Sequence, residues 1–175
     1  ILLAGALSST PERSKVSGKA IGLNPERIYN DFNAMAEGES LRKDGIEAVS
    51  IVTPNNMHAE SAIAFLKKGI HVICEKPLTA TLEQAKILAK VAREAKSLFV
   101  LTHNYSGYPL VRQAREMIKA GEIGKIITVH TEYLVEWLSQ AEEKDGLKQA
   151  IWRTDPSIAG TGSVGDIGTH AFHLV

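Results

Sequence analysis

Hydrophobic and polar positions follow one another along the chain in the way expected of alternating strands and helices. Residues 47–53 form a short apolar, β-branched run, which is typical of a parallel strand covered on both faces. Asn55 is a suitable N-cap for the helix that follows, and residues 70–74 form a second apolar run. The apolar positions of that helix recur at helical spacing: Ala59, Ala62, Ile63 and Leu66. Residues 46–77 therefore predict a complete β-α-β unit.

The same alternation extends to both sides of this unit. Further strands are predicted at residues 1–8, 27–29 and 98–102. Helices are predicted at residues 11–22, 31–43, 82–94 and 108–120. Strands alternating with helices of about ten to fifteen residues predict an α/β fold with a doubly wound parallel sheet.

The pattern changes at residue 121, where a glycine-rich turn ends the last of these helices. Residues 125–135 alternate apolar and polar side chains, which predicts a strand with one open face. A charged stretch at residues 138–147 is predicted to be exposed, and Asp166 is predicted to cap a final helix that carries His170. We therefore predict two domains, residues 1–121 and residues 122–175.

The composition excludes several classes of function. Hydrophobic residues make up 44% of the chain, which is enough for a packed core, and 20 basic residues balance 20 acidic ones. A neutral chain has no overall field that would favour nucleic acid or an anionic membrane, so we predict neither as a partner. The single cysteine, Cys74, allows neither a disulfide framework nor a cysteine-based metal site.

The ends of the chain bear on membrane insertion and targeting. No stretch approaches about 18 consecutive apolar residues, which argues against a transmembrane helix. The chain begins without methionine, as though inside a strand, and we expect it to be part of a longer protein. A cytoplasmic location is the expectation, although a targeting segment could precede residue 1.

Lys76 is the first candidate for chemistry. It lies where the second strand of the β-α-β unit ends, beside Glu75 and before Pro77. Ligands of open α/β sheets bind at the carboxyl ends of strands, so a lysine here could steer a substrate hydroxyl or transfer a proton. The alternative is an exposed Glu-Lys ion pair that contributes little energy.

Asp166 and His170 stand four residues apart on a predicted helix, a spacing that lets a carboxylate orient an imidazole acting as a base. The alternative is a cap and a surface side chain. Metal binding is not predicted because a third ligand of suitable spacing is missing. Arg153 could bind a polyol or an anion, whereas its neighbour Trp152 could equally belong to a core.

Four polar side chains follow two of the predicted strands and could line the same crevice. Asn55 and His58 stand at the start of a helix, an end that is receptive to phosphate or ribose oxygens. Asn104 and Tyr105 follow the strand at residues 98–102. Ordinary capping and loop polarity are the alternatives.

Taken together, four motifs resemble the glucose–fructose oxidoreductase and inositol dehydrogenase family, known as Gfo/Idh/MocA. They stand in family order across nearly the whole chain: Thr53-Pro54-Asn55-Asn56-Met57-His58, Glu75-Lys76-Pro77, Trp152-Arg153 and Gly165-Asp166-Ile167-Gly168-Thr169-His170. The resemblance implies an N-terminal Rossmann domain and a C-terminal α/β domain with an open sheet. It also implies NAD or NADP as cofactor and hydride transfer between nicotinamide and a sugar, inositol or related polyol carbon.

The resemblance also implies roles for single residues. The catalytic residues would be Lys76, Asp166 and His170. The cofactor would contact Thr53, Pro54, Asn55, His58, Glu75, Lys76 and Asn104. The substrate would contact Tyr105, Trp152, Arg153, Asp166 and His170. A homo-oligomer is expected, because second domains of this family commonly associate through their open sheets.

The chain departs from the family pattern in places. The family's first strand and its glycine-rich phosphate loop are absent, because the chain starts at what matches the second strand. Where an acidic residue would bind the ribose of NAD, this chain has Ser8, Ser9 and then Arg13, which favours NADP. Two alternatives to a dehydrogenase stay open, a dinucleotide-binding regulator without turnover and an NAD-dependent glycosidase.

Overall fold

Three parallel strands in the order β1-β2-β3 form the sheet of the computed structural model, which describes residues 1–136, 139–141, 144–160 and 162–175. The strands are β1 (Ala48–Ile51), β2 (His71–Glu75) and β3 (Phe99–Thr102). The register of the sheet is seen at Cys74 of the central strand, which pairs with Ile51 of β1 and with Leu101 of β3. The three strands therefore end close together at one edge of the sheet.

Eight α-helices are described, together with shorter turns of helix. The helices are α1 (Pro11–Ala20), α2 (Phe32–Ser40), α3 (His58–Lys67), α4 (Leu82–Glu94), α5 (Pro109–Lys119), α6 (Lys148–Thr154), α7 (Pro156–Ala159) and α8 (Thr169–Leu174). Single turns of 3-10 helix cover Pro25–Arg27, Asn55–Met57 and Asn104–Gly107, and a π-helical turn covers Val164–Gly168. In the described part of the chain, no helix has the length and apolar character that a membrane span would need.

The predicted β-α-β unit is confirmed. Helix α3 connects β1 to β2, and α4 connects β2 to β3. Thr81 caps α4 by accepting a hydrogen bond from the backbone N–H of Gln84 at 3.2 Å. Helices α3 and α4 bury their apolar sides against the sheet, and the centre of this core is formed by Phe65, Val72, Cys74 and Leu88.

The described structure covers one face of the sheet, whereas the sequence predicts cover on both. Val72 and Cys74 of β2 point into the core, but Ile73 between them is 41% exposed, and Val100 of β3 is 49% exposed. An apolar run shows that side chains tolerate burial, but it does not show how many layers are present to bury them.

Three predicted strands, at residues 1–8, 27–29 and 125–135, are not formed in the described residues. Residues 1–8 make one parallel bridge, between Gly5 and Ile28, and residues 125–135 make none. A β-ladder needs a second backbone to satisfy its N–H and C=O groups, and no described segment pairs along residues 125–135. Part of the stretch predicted to be charged and exposed, residues 138–147, lies outside the described residues.

The N-terminal residues are held together by a buried ion pair. Arg27 and Glu39 are 6% and 1% exposed, and Nε of Arg27 donates to Oε1 of Glu39 at 3.0 Å. The Tyr29 hydroxyl and the backbone N–H of Ile46 also donate to Glu39, at 2.8 and 3.1 Å. Burial acts to raise the pKa of Glu39, but the bonds from Arg27 and Tyr29 and the arginine charge lower it overall. Because Ile46 leads into β1, this pair fixes the start of the sheet.

Asp166 does not cap the last helix, which corrects the prediction. It lies inside the π-helical turn Val164–Gly168, which continues directly into α8. Such wide turns re-aim side chains and occur often at functional sites. The change of helical period is a backbone feature that an i,i+4 spacing does not reveal.

Candidate active site

The carboxyl ends of the three strands gather the candidate residues. Thr53 follows β1, Lys76 follows β2 and His103 follows β3. Lys76 directly follows the last residue of β2, the central strand, so its side chain extends from the middle of the edge formed by the three strand ends. This is the position at which open α/β sheets bind their ligands.

Lys76 and Asp166 are in direct contact. Nζ of Lys76 donates to Oδ1 of Asp166 at 2.6 Å and to the backbone carbonyl of Asp166 at 2.6 Å. The two side chains are 15% and 17% exposed, so the ion pair is largely removed from water. An ammonium has three N–H donors, and these contacts use two of them, which leaves a third for a ligand.

Arg153 binds the other oxygen of Asp166. Its Nε lies 3.3 Å from Oδ2 of Asp166, and its guanidinium carbon lies 4.1 Å from the centre of the Trp152 ring. Nη1 of Arg153 also donates to the backbone carbonyl of Gln149 at 3.2 Å. The carboxylate of Asp166 is thus held between two cations.

His170 lies beside this ion pair in an aromatic environment. Its ring is buried and stands 4.4 Å from the ring of Tyr105, 6.0 Å from that of Tyr133 and 6.2 Å from that of His103. Burial lowers the pKa of His170 below its ordinary value, and the charge of Lys76 lowers it further, whereas Asp166 acts in the opposite direction. At neutral pH the ring is therefore neutral and able to accept a proton.

Tyr133 is a residue of this cluster that sequence reasoning missed. Its hydroxyl lies 2.7 Å from the hydroxyl of Tyr105, and this hydrogen bond is the main reason why the pKa of Tyr105 is raised. Tyr133 stands in the run 125–135, where the alternating pattern pointed to a strand and not to a site. A tyrosine, whose hydroxyl needs a polar partner, among the apolar positions of that alternation was the available signal.

Two further histidines adjoin His170 and were not predicted as site residues. The rings of His103 and His173 stack with centroids 4.0 Å apart, and Nε2 of His173 lies 2.9 Å from Oγ of Ser106. Burial lowers the pKa of His103, and the charges of His173, His170 and Lys76 act in the same direction. The pair thus extends the imidazole surface around His170.

The side chain of Asn55 binds the distant residue Ala159 and does not act as the helix N-cap that its position predicted. It is buried, and its Nδ2 donates to the backbone carbonyl of Ala159 at 3.1 Å. Beside this contact Gly160 has a φ of +76°, and a Cβ there would lie 2.7 Å from the carbonyl oxygen of Ala80. These contacts hold the end of α7 against the turns at the edge of the sheet. The turn that carries Asp166 follows α7 in sequence and therefore lies close to Lys76.

A crevice of about 260 Å³ lies between the ends of β1 and β2 and helix α6. Its walls contain both predicted cofactor residues and predicted substrate residues: Val52, Thr53, Pro54, Asn55, Glu75, Lys76, Lys148, Gln149, Trp152, Arg153 and Asp166. Oγ1 of Thr53 and Nδ1 of His103 are buried without a hydrogen-bond partner among the described residues. Unsatisfied polar atoms at the ends of β1 and β3, the strands on either side of β2, fit a polar ligand such as a nicotinamide nucleotide.

A second, more open cavity of about 630 Å³ lies on the other side of the ion pair. Arg153 and Asp166 line both spaces, and the larger one is completed by Tyr133, Val135, Ser139, Thr154, Pro156, Gly162, Ser163, Val164, Ile167 and Gly168. Hydroxyl and charged groups at its inner end make it suitable for a small polar substrate next to the crevice.

Several predicted cofactor residues lie away from these walls. Ser8, Ser9 and Arg13 do not line either cavity, and Arg13 is exposed on α1. Asn104 is exposed at the start of its 3-10 turn. Glu75 does line the crevice, where Oε1 accepts a hydrogen bond from the hydroxyl of Thr102 at 2.8 Å.

His58 is near the crevice but does not face it. Its ring is 1% exposed and both ring nitrogens contact backbone carbonyl oxygens, Nδ1 at 2.8 Å from Pro77 and Nε2 at 2.9 Å from Thr53. As placed, the ring has no nitrogen left for the cofactor contact that the family resemblance implied.

The comparisons with known proteins agree with this geometry. Residues 2–103 match the profile of the oxidoreductase family with an NAD-binding Rossmann fold, and residues 111–175 match the GFO/IDH/MocA C-terminal domain. The chain belongs to the Gfo/Idh/MocA oxidoreductase family, and its parallel sheet is of the Rossmann type. The predicted family and fold class are thereby confirmed.

Several relatives have named activities or bound cofactors. An inositol dehydrogenase homolog from Azotobacter vinelandii in complex with NAD+ is 41% identical, with a TM-score of 0.93 over 99% of this chain and 45% of its own. An oxidoreductase from Sinorhizobium meliloti is 54% identical, with a TM-score of 0.85 over 99% and 43%. Levoglucosan dehydrogenase from Pseudarthrobacter phenanthrenivorans is 37% identical over 86% of this chain and 39% of its own length. The chain thus spans less than half the length of these relatives.

Proposed function

We propose that the protein is an NAD(P)-dependent oxidoreductase that transfers a hydride between nicotinamide and a carbon bearing a hydroxyl of a sugar, inositol or related polyol. The observation that carries the proposal is the contact of Lys76 with Asp166 beside His170, at the edge where the strands end. The named activities of the relatives support the same class of substrate.

The three side chains would divide the work on the substrate hydroxyl. The third N–H of Lys76 would donate to the hydroxyl oxygen, because the other two are used on Asp166. Neutral His170 would accept the hydroxyl proton as the carbon becomes a carbonyl, and Asp166 would hold Lys76 in place and accept from a neighbouring hydroxyl. A positive charge beside that oxygen stabilises the negative charge that develops on it.

The bound nicotinamide would supply the hydride acceptor or donor. Thr53, Pro54 and Glu75 line the crevice and would hold the nucleotide there, with Lys76 at the inner end. Arg153 and Tyr133 line the adjoining cavity, where they would bind hydroxyl groups of the substrate. Trp152 would contribute by holding the guanidinium of Arg153 against its ring in the wall of the crevice.

The test is turnover by the full-length protein on a panel of sugars and polyols with NAD and NADP. We expect Lys76→Ala and His170→Ala each to lower kcat at least about 100-fold, since positioned proton transfer contributes about that much. Lys86→Ala and His130→Ala, which change exposed side chains of the same types, should retain wild-type rates. Oxidation that survives both catalytic variants contradicts the proposal.

Two other outcomes would identify a different function on the same fold. Tight cofactor binding without reduction on any member of the panel would indicate a dinucleotide-binding regulator. Hydrolysis of a glycoside without accumulation of reduced cofactor would indicate an NAD-dependent glycosidase.

Four finer expectations belong to the proposal. NADP is favoured over NAD because Ser8, Ser9 and Arg13 replace an acidic residue. The chain is expected to divide into two domains at residue 121. A cytoplasmic location is also expected, and fractionation of cells would test it. A homo-oligomer is supported by the exposed apolar side chains of residues 123–135, such as Ile127 at 91%, and light scattering on the full-length protein measures it.

A further inference from the structure

His58 joins the two turns that form the edge of the crevice. It is the first residue of α3, it is 1% exposed, and its ring lies between the backbone carbonyls of Thr53 and Pro77. Thr53 belongs to the turn after β1 and Pro77 to the turn after β2, so one side chain connects two neighbouring strand ends. Pro77 directly follows Lys76 in sequence.

We propose that His58 is a positioning residue that acts through Lys76, and not a ligand of the cofactor. By holding the carbonyl of Pro77 it fixes the residue that directly follows the lysine, and with it the turn from which the lysine side chain extends. This inference rests on the proposed function for its kinetic consequences, but its structural content can be measured without turnover.

The chemistry of the contacts explains why an imidazole suits this place. A carbonyl oxygen can only accept, so each 2.8–2.9 Å contact is a hydrogen bond when the facing nitrogen carries a proton. The two nitrogens lie at different edges of one rigid ring, so the ring contacts a carbonyl of each turn at the same time. An apolar side chain of similar size would leave both carbonyls unsatisfied in a buried site.

The consequence for catalysis follows from the short contacts of the lysine. Nζ of Lys76 lies 2.6 Å from two oxygens of Asp166, and the turn at Pro77 sets where its side chain begins. A displacement of about 1 Å in a positioned group can cost about 100-fold in rate. Loss of the His58 bonds should therefore lower the rate of the chemical step while the cofactor still binds.

The kinetic test is a double-mutant cycle in the full-length protein, with rates expressed per cofactor-binding site. We expect His58→Leu to lower kcat about 10- to 100-fold with little change in KM, and His58→Gln, which retains an N–H donor, to recover part of the loss. In a Lys76→Ala background, His58→Leu should change kcat less than about 3-fold, because coupled residues are not additive. Equal losses in both backgrounds would overturn the inference.

The structural test does not depend on activity. In a crystal structure of full-length His58→Leu we expect Nζ of Lys76 to have moved beyond about 3.5 Å from Oδ1 of Asp166, outside hydrogen-bond distance. An unchanged contact would overturn the inference even if the protein turned over no polyol, which separates this failure from that of the proposed function. If His58→Leu does not fold, His58→Gln takes its place in both tests, with the displacement and the rate loss expected to be smaller but present.

His71→Leu is the matched control. His71 is also a histidine that links two strand segments, since its Nδ1 accepts a hydrogen bond from the backbone N–H of Leu98 at 2.8 Å. It lies at the amino end of β2, the opposite end of the sheet from Lys76. Its replacement should leave kcat per cofactor-binding site and the position of Lys76 as they are in the wild type.

Discussion

Nζ of Lys76 lies 2.6 Å from Oδ1 of Asp166, although ninety positions separate the two residues in the sequence. Both side chains are mostly removed from water, where a charge pair interacts more strongly than at the surface. His170 lies next to both charges, and they act on its pKa in opposite directions. Burial is the largest influence on the pKa of His170, and the ion pair adds two opposed influences to it while it fixes the position of the lysine.

The titration of His170 should report these two charges separately. The charge of Lys76 lowers the pKa of His170, so Lys76→Met should raise it, whereas Asp166 raises that pKa, so Asp166→Asn should lower it. Titration of the His170 ring signals by NMR measures both shifts in the full-length protein. Shifts of the same sign in the two variants would show that the ion pair does not control His170.

The bond from Asn55 to Ala159 should hold the second half of the chain at the site. In Asn55→Asp the donor is replaced by a carboxylate oxygen that faces the carbonyl of Ala159, which removes the bond and adds repulsion. We expect kcat to fall about 10-fold and hydrogen exchange in residues 156–170 to increase, because a buried carbonyl without a partner costs about 1–3 kcal/mol. Asn56→Asp is the control, since Asn56 is exposed. Equal effects of the two variants would argue against a tether.

The buried pair of Arg27 and Glu39 should dominate the stability of the N-terminal residues. Removing one partner in Glu39→Gln leaves a buried guanidinium poorly compensated, and we expect the free energy of unfolding to fall by about 3 kcal/mol. Glu37→Gln, on the same helix but in an exposed ion pair with Lys68, should cost less than about 1 kcal/mol. Urea unfolding of both variants compares them.

The same pair also predicts how stability depends on pH. The pKa of Glu39 is lower in the folded state than its ordinary value, so its contribution is complete above that value and is lost as the pH falls through the folded pKa. Glu39→Gln should therefore flatten the loss of stability on acidification. An unaltered acid dependence in this variant would contradict the assignment.

Arg13 should decide between the two cofactors. An arginine near the ribose can pair with the 2′-phosphate of NADP, so Arg13→Ala should weaken NADP binding about 10-fold and leave NAD binding nearly unchanged. Lys15→Ala provides the control, because Lys15 is an exposed cation on the same helix. Fluorescence titration of the full-length protein with each cofactor measures the four affinities. An unchanged preference would remove the case for NADP.

Much of the fold follows from local features of the sequence. The apolar runs and helical spacings of residues 46–102 give three strands and two connecting helices within a few residues of their observed ends, because burial of an amphipathic face is encoded by periodicity. Lys76 could be proposed as a site residue from the same runs, since it follows the central strand. The strand expected at residues 125–135 is wrong for the described structure, since periodicity cannot supply a pairing partner.

The sequence by itself determined the α/β order of elements, the family motifs and the three side chains of the proposed chemistry. Only the tertiary structure decided that Asn55 is a tether, that His58 binds two carbonyls and that Tyr133 joins the cluster around His170. The physical reason is that local pattern specifies which face of an element is buried, whereas the partners of polar groups are chosen by whatever segments the fold brings against them. Lys76 and Asp166 meet because contacts at Ala159 and Gly160 dock the second half of the chain on the edge of the sheet.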